Sequence, residues 1–368
     1  MVILLLVNTR LDAVEGVLAV LNEGSARGTN KYGLLLALIE LAPVIGDGNS
    51  LSVEQISEKL LELHWDHARE FNNAPLRQLN SGNRQNTTVV LEAISLQQSL
   101  RKACSFEQAS RTIAGRQWAE SIRKIAFDAW RNPIRLLQNL PGSPPNFLYD
   151  IEDDRPRRIR LFEESLDALV RYGEVLRELI EFKFVRFVAE ANKPSIGGSF
   201  EEDVAEFLFG TTRQMPPKSV RRELWELQGR RCLYTGSAIA DPTSDSSGSS
   251  VDHVIPWKRT RLSAVENFVI TTKQVNSSKS ALLLAPILVA RWARYLIEEQ
   301  SPMGAIALRN GWCSDLARVV AVALAQYRHA TPATPVWDPE VGVRVLGTEG
   351  RRDAVEALGS LINRFPAR

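Results

Sequence analysis

Val251-Asp252-His253-Val254-Ile255-Pro256-Trp257 is the stretch on which the reading of this chain turns. Its apolar, β-branched surroundings suit a short buried strand, and Pro256 cannot continue one in a sheet interior. Asn267, Asn276 and Lys279 follow the histidine at fourteen, twenty-three and twenty-six residues. Asn267 opens onto Phe268-Val269-Ile270-Thr271, a second β-branched run. Lys279 stands one helical turn after Asn276, so the two share a helix face. Neighbours on a strand point to opposite sides, which requires the strand to end or bulge at Asp252 and His253 if both serve one site. The chemistry of the set is coherent. Carboxylate and amide oxygens suit Mg²⁺ or Mn²⁺ better than thiolate-loving metals do. An imidazole titrates near about 6.5, so at neutral pH it can accept a proton.

The ordered set Asp252, His253, Asn267, Asn276 and Lys279 resembles the HNH (ββα-metal) nuclease motif. The resemblance implies a two-strand, one-helix module that hydrolyses phosphodiester bonds. It assigns His253 as general base and Asp252 and Asn276 as ligands of Mg²⁺ or Mn²⁺. Asn267 joins the catalytic set by pinning the loop between the strands, and Lys279 is expected to hold a phosphate oxygen. Upstream, Gly229-Arg230-Arg231-Cys232-Leu233-Tyr234-Thr235-Gly236 looks like the hairpin that precedes many HNH cores. Members often carry Cys-x-x-Cys there and a second cysteine pair near the final asparagine. Here Thr235 and Val275 stand at those places, so no structural zinc is expected. The Cys-x-Tyr-Thr-Gly form and the asparagine spacing most resemble the HNH domain of RNA-guided CRISPR effectors. Lys31-Tyr32-Gly33-Leu34-Leu35-Leu36-Ala37-Leu38 and Arg291-Trp292, with Asp252 to Lys258, instead look like stand-alone bacterial HNH endonucleases. Some of these are effectors of antiphage defence, the Zorya type included, which would add other defence-system proteins to DNA as partners.

Composition narrows the rest. With 368 residues the chain can hold two or three domains, and 44% hydrophobic with 24% charged residues is ordinary for a globular protein. A net charge of +2 announces no polyanion partner, so a DNA surface must come from local clusters. Arg230 and Arg231 before the Asp-His strand, and Lys258 and Arg259 after it, are the candidates. Cys104, Cys232 and Cys313 are too few and too scattered for a disulfide framework, which suits a reducing cytoplasm. Met1 to Val7 is apolar but lacks a basic flank and meets Arg10 and Asp12, unlike a signal peptide. No run approaches the roughly 20 apolar residues of a membrane span.

Along the chain we read mainly α structure with a small ββα-metal module, α+β overall. Residues 1–194 form a helical recognition or regulatory region, 195–300 the nuclease module and 301–368 a helical tail. Ser52 with Gln55 has the spacing of a capping box, and Val53, Ile56, Leu60 and Leu63 recur at helical period. Leu161 to Ala191 is a long helix with Leu166, Leu169, Leu176, Leu179 and Ile180 buried and Gly173 a candidate kink. His64 and His67 on the capped helix are read as surface or packing residues. The polar stretch from Leu76 to Asn86 suits a solvated connection or the approach of phosphates, and the proline-rich Pro141 to Pro156 is read as a connection. An RNA-cleaving or toxin-like HNH protein, and a DNA-binding module with an inactive nuclease fold, remain alternatives.

Overall fold

Ser52 Oγ accepts from the Gln55 amide while the Gln55 side chain accepts from the Ser52 amide, closing the expected capping box. The computed structural model describes residues 13–22, 27–46, 48–79, 86–100, 102–140, 146–196, 201–210, 215–244 and 246–364. The apolar opening 1–7, the polar residues 80–85, prolines 141, 144 and 145, the segment 197–199 and Asp245 lie outside them. The fold is 61% helical with small, mostly antiparallel sheets, as the sequence led us to expect. It divides into two compact units, Met1–Thr211 and Thr212–Arg368.

The first unit runs α1 (13–22), α2 (Asn30–Leu41), β1 (Ser50–Ser52), α3 (Val53–His64), β2 (Glu70–Phe71), β3 (Ala74–Pro75), α4 (Thr88–Gln98), α5 (Phe106–Thr112), α6 (Gly115–Ala129), β4 (Tyr149–Glu152), β5 (Arg158–Leu161), α7 (Glu163–Ile196) and α8 (Glu201–Phe209). Leu34 to Leu38 of α2 are buried on every side, because α3 and α7 pack against it. Its sequence is accordingly apolar all round. β1, β5 and β4 form an antiparallel sheet with Leu51 opposite Ile159 and Ile159 opposite Ile151. α7 continues through Asn192, Lys193 and Pro194, and Gly173 does not break it. A Cβ on Gly173 would lie 3.2 Å from Ile39 Cγ2, so the glycine permits close approach of α2. Leu179, expected inside, is instead 39% exposed. It lies on the solvent side of α7, opposite the stripe of Leu176, Ile180 and Phe184 that does enter the core. His64 and His67 are packing residues, both buried, with ring centroids 5.0 Å apart and contacts to Phe184.

The second unit runs α9 (Lys218–Leu227), β6 (Ser249–His253), α10 (Trp257–Thr260), β7 (Phe268–Thr272), α11 (Lys273–Lys279), β8 (Leu283–Leu284), α12 (Pro286–Asn310), α13 (Leu316–Arg328), β9 (Pro335–Asp338), β10 (Gly342–Val345) and α14 (Thr348–Arg364). β6 and β7 pair antiparallel, with Val251 opposite Ile270 and His253 opposite Phe268. β7 passes directly into α11, whose Thr272 cap accepts from the Val275 amide. Pro286 occupies the first turn of α12, where its missing N–H costs nothing, and Gly311 at φ 61° ends the helix. α12 spans position 300 and packs against α9 and α14, and Trp312 beyond it reaches Phe268 of β7 with ring centroids 6.2 Å apart, so residues beyond 300 share the core of the ββα element. β8 pairs parallel with β9, and β9 antiparallel with β10.

Candidate active site

β6 ends at His253, and the chain turns at Pro256; this is how two neighbours on a strand come to border one cavity. Asp252 and His253 still leave the strand on opposite sides, as alternation demands. His253 meets its cross-strand partner Phe268 edge-on, with ring centroids 4.7 Å apart. Asp252 turns toward Tyr234 and α11. Both line an open cleft of about 580 Å³, together with Ser250, Pro256, Trp257, Lys258, Lys273, Asn276 and Ser277.

The Asp252 carboxylate is held from two sides. Tyr234 donates its hydroxyl proton to Oδ2 at 2.6 Å, and Lys279 Nζ lies 3.1 Å from Oδ2 and 3.3 Å from Oδ1. Lys279 also donates to the His253 carbonyl at 2.8 Å, and its side chain is fully buried. The lysine expected to grip phosphate therefore sits beneath β6, bound to the aspartate and to the backbone of the histidine. Burial, reinforced by the charge and hydrogen bond of Asp252, pushes the Tyr234 phenol well above its ordinary range. The tyrosine thus stays a neutral donor to the carboxylate at any physiological pH.

Asn276 donates from Nδ2 to Ser250 Oγ at 2.8 Å and to the Val251 carbonyl at 3.4 Å. These bonds fasten α11 to β6 and fix the amide plane at the cleft wall. Asn267 is buried and does not reach the cleft. Its Oδ1 accepts from the Ile255 amide at 2.8 Å, while Nδ2 donates to the carbonyls of Ile255 at 3.0 Å and Leu262 at 3.1 Å. Its side chain closes the loop from Val254 to Leu262 on itself, which sets where Pro256 to Lys258 stand.

The basic residues separate into two groups. Lys258 borders the cleft, joined by Lys273 at the start of α11, which sequence reading had not singled out. Arg259 instead donates to the Ala281 carbonyl at 3.3 Å. Arg230 lies over the Trp225 ring at 5.0 Å, and Arg231 donates to the Gly236 carbonyl at 2.9 Å. These three do not line the cleft.

The hairpin from Arg230 to Ile239 supplies Tyr234 and is held from several sides. Gly236 adopts φ 73°, a conformation that glycine takes without strain, and its amide donates to the Cys232 carbonyl at 2.8 Å. Arg291 of α12 donates to the carbonyls of Leu233 at 3.1 Å and Tyr234 at 2.6 Å. Trp337 of β9 packs edge-on to Tyr234 at 5.5 Å and donates to Ser278 Oγ at 3.0 Å. Cys232 Sγ lies 3.1 Å from Thr271 Oγ1. Gln228 binds both backbone groups of Ile270, at 2.6 and 2.9 Å, and so satisfies the outer edge of β7. Apart from the Gly236 to Cys232 turn, sequence spacing could not have indicated these supports, since their partners lie far along the chain. Only the Cys-x-Tyr-Thr-Gly turn offered a signal.

Residues 232–283 match the family model of the HNH endonucleases, a span that begins at this hairpin and ends at β8. The second unit therefore contains an HNH endonuclease domain, which supports nuclease, and so hydrolase, activity on nucleic acid. No curated protein matches the chain, and no solved structure does. Among the described residues no helix is long and apolar enough to cross a membrane.

Proposed function

We propose that the protein is a divalent-metal-dependent endonuclease that cleaves DNA. The observation that carries this reading is the meeting of Asp252, His253 and Asn276 on one open cleft whose rim bears Lys258 and Lys273. Among the described residues no three His, Cys, Asp or Glu side chains cluster as metal ligands. A cation here would rely on the Asp252 carboxylate, the Asn276 amide oxygen, water and phosphate. That is the donor set Mg²⁺ accepts, since it keeps several waters and takes one or two protein oxygens. Asn276 fits the role because its Nδ2 is committed to β6, which leaves Oδ1 as the group it can offer. When bound, the ion would neutralise charge on the scissile phosphate and on the leaving oxygen.

The remaining work falls to side chains. His253 accepts the proton of the attacking water, within a ring position fixed by Phe268. Lys258 and Lys273 attract and orient the phosphate backbone, a contact that carries no base information. Tyr234 and Lys279 hold the aspartate, and Asn267 holds the loop. We assign recognition of DNA or of a protein partner to the helical region, 1–194, with the module over 195–300 and the segment 301–368 buttressing it through Trp337. Cleavage of invading DNA, the role of some of the stand-alone bacterial HNH endonucleases whose motifs it resembles, is the setting we propose in the cell.

Supercoiled plasmid incubated with the purified chain and Mg²⁺ tests the reading. Nicked or linear product that EDTA abolishes and His253→Ala lacks is expected. Cleavage of structured RNA with plasmid left intact would overturn the choice of DNA. Phage plating on cells carrying the wild-type or His253→Ala gene tests the cellular role, and equal plating would remove it.

A further inference from the structure

The long helix α7 carries a second apolar stripe that no described element covers. Tyr172, Val175, Leu179 and Phe182 are 44%, 59%, 39% and 53% exposed, on a helix whose other face is built into the core. Their intervals are three, four and three residues, the a and d positions of a heptad seam. Scattered exposed apolar residues need no explanation, but four on one line form a patch on the order of a few hundred Å², the scale of the largest apolar patch on a typical monomer, which is often functional. We propose that this stripe is a self-association seam, along which α7 of one copy pairs in parallel with α7 of a second copy.

Three features select a second copy. The spacing is that of a two-helix seam, and a twofold axis along it stacks each residue on its own counterpart, so the contact closes at two subunits. The flanks are complementary in that register. Glu178, exposed beside Leu179, occupies the g position, and Lys183, half-buried beside Phe182, the e position five residues on. The g to e′ relation of a parallel pair sets Glu178 of each copy against Lys183 of the other, twice. An antiparallel pairing would bring the two Glu178 side chains together near the axis. A lipid surface is a poorer occupant, because membrane-lying helices flank their apolar face with basic residues and here Glu178 intervenes. The ends of the stripe are already shaped by guanidinium stacking, with Arg171 over Tyr172 at 5.3 Å and Arg186 over Phe182 at 5.7 Å. Arg177 on the opposite face pairs with Glu40 at 2.6 Å and so anchors the helix to α2. The stripe is thereby presented on a rigid support.

Two heptads bury less than the ~800 Å² per partner of a standard interface, so association is expected at the weak end, with Kd on the order of 10 µM. Sedimentation velocity of the full-length protein across that range tests it. A monomer–dimer equilibrium is expected, and Leu179→Glu should abolish it while leaving the thermal unfolding curve in place, since the position is solvent-exposed. Glu178→Lys should weaken the dimer by about ten-fold, and Glu178→Lys with Lys183→Glu should restore it. Val175→Cys should cross-link to itself under mild oxidation, unlike the wild type. A protein that stays monomeric at ~100 µM, or a dimer indifferent to Leu179→Glu, would overturn the seam. A dimer in which Val175→Cys fails to cross-link would overturn the parallel register. These readouts do not depend on cleavage, so they stand or fall apart from the nuclease reading.

Discussion

Replacing Lys279 with methionine separates two roles that the sequence pattern left superimposed. The side chains of Lys279 and Asp252 are 0% and 3% exposed, and the ammonium stands 3.1 Å from the carboxylate. Removing it takes the ammonium away from a buried carboxylate to which Tyr234 also donates, and removes the 2.8 Å bond to the His253 carbonyl. Breaking one side of a buried pair costs about 3–5 kcal/mol. Divided by a urea m-value of ~1–3 kcal/mol/M, that is a fall of roughly 1–5 M in the unfolding midpoint of the second unit. A lysine whose task was to grip DNA from the surface would change stability by less than ~0.5 kcal/mol and weaken binding instead. Urea unfolding, with hydrogen exchange of β6 and α11 to assign the loss to this unit, gives the answer. The companion variant Asp252→Asn with Lys279→Met leaves no uncompensated charge and should recover more than half of the loss. An unchanged midpoint together with weakened DNA binding would refute the buried-pair argument and return Lys279 to the phosphate.

Three further outcomes follow from the same geometry. His253→Ala should cut the cleavage rate by ~10²–10⁴ while DNA affinity stays within about two-fold, because a base acting on water contributes mainly in the transition state; a residual rate above about a tenth would exclude it as the base. Asn276→Ala should weaken Mg²⁺ binding, read by calorimetry on the DNA-free protein, and should loosen α11 through loss of the bond to Ser250; cation affinity equal to wild type would take Asn276 out of the ligand set. Burial depresses the His64 imidazole from 6.5 to about 4, partly opposed by the Leu60 carbonyl, and lowers His67 in the same direction. The folded state thus favours the neutral rings, so stability is complete above about pH 7 and falls as the unfolded histidines take up protons below ~6.5. His64 alone is worth about 3 kcal/mol over that window. Thermal unfolding of the first unit should drop steadily from pH 7 to 4.5, and His64→Leu should flatten part of the slope; a pH-independent transition would contradict the buried pair.

What sequence reading captured and what it missed have a common physical origin. Local signals were sound where a helix reports its own boundary, as with the Ser52 and Gln55 box. Period alone could not rank the two apolar stripes of α7. Leu176 and Ile180 differ from Val175 and Leu179 by one position, and hydropathy does not say which stripe α2 will cover. The short strands were hidden for another reason. β4 and β5 have four residues each and β8 has two, too few for alternation to mark them, and β1 and β8 meet their partners β5 and β9 only far along the chain. The segment beyond 300 was read as helical, yet β9 delivers Trp337 against Tyr234 from about a hundred residues downstream.

At the site, spacing identified which residues meet but not what each one touches. Asn276 and Lys279 share a helix face at three residues' separation, and both do approach β6. The asparagine is short, so its amide stops at the cleft wall beside Ser250. The lysine's longer stem carries its charge past that wall, under the strand, to Asp252 and the His253 carbonyl. An exposed lysine would remain solvated and free to meet phosphate; a fully buried one must have its charge answered within the protein. Asp252 answers it. The aspartate therefore has two obligations, to a lysine below and, in the function we propose, to a cation above, with Tyr234 fixing the carboxylate between them. Lys258 and Lys273, exposed at the rim, are in that proposed function the lysines left to meet the DNA backbone.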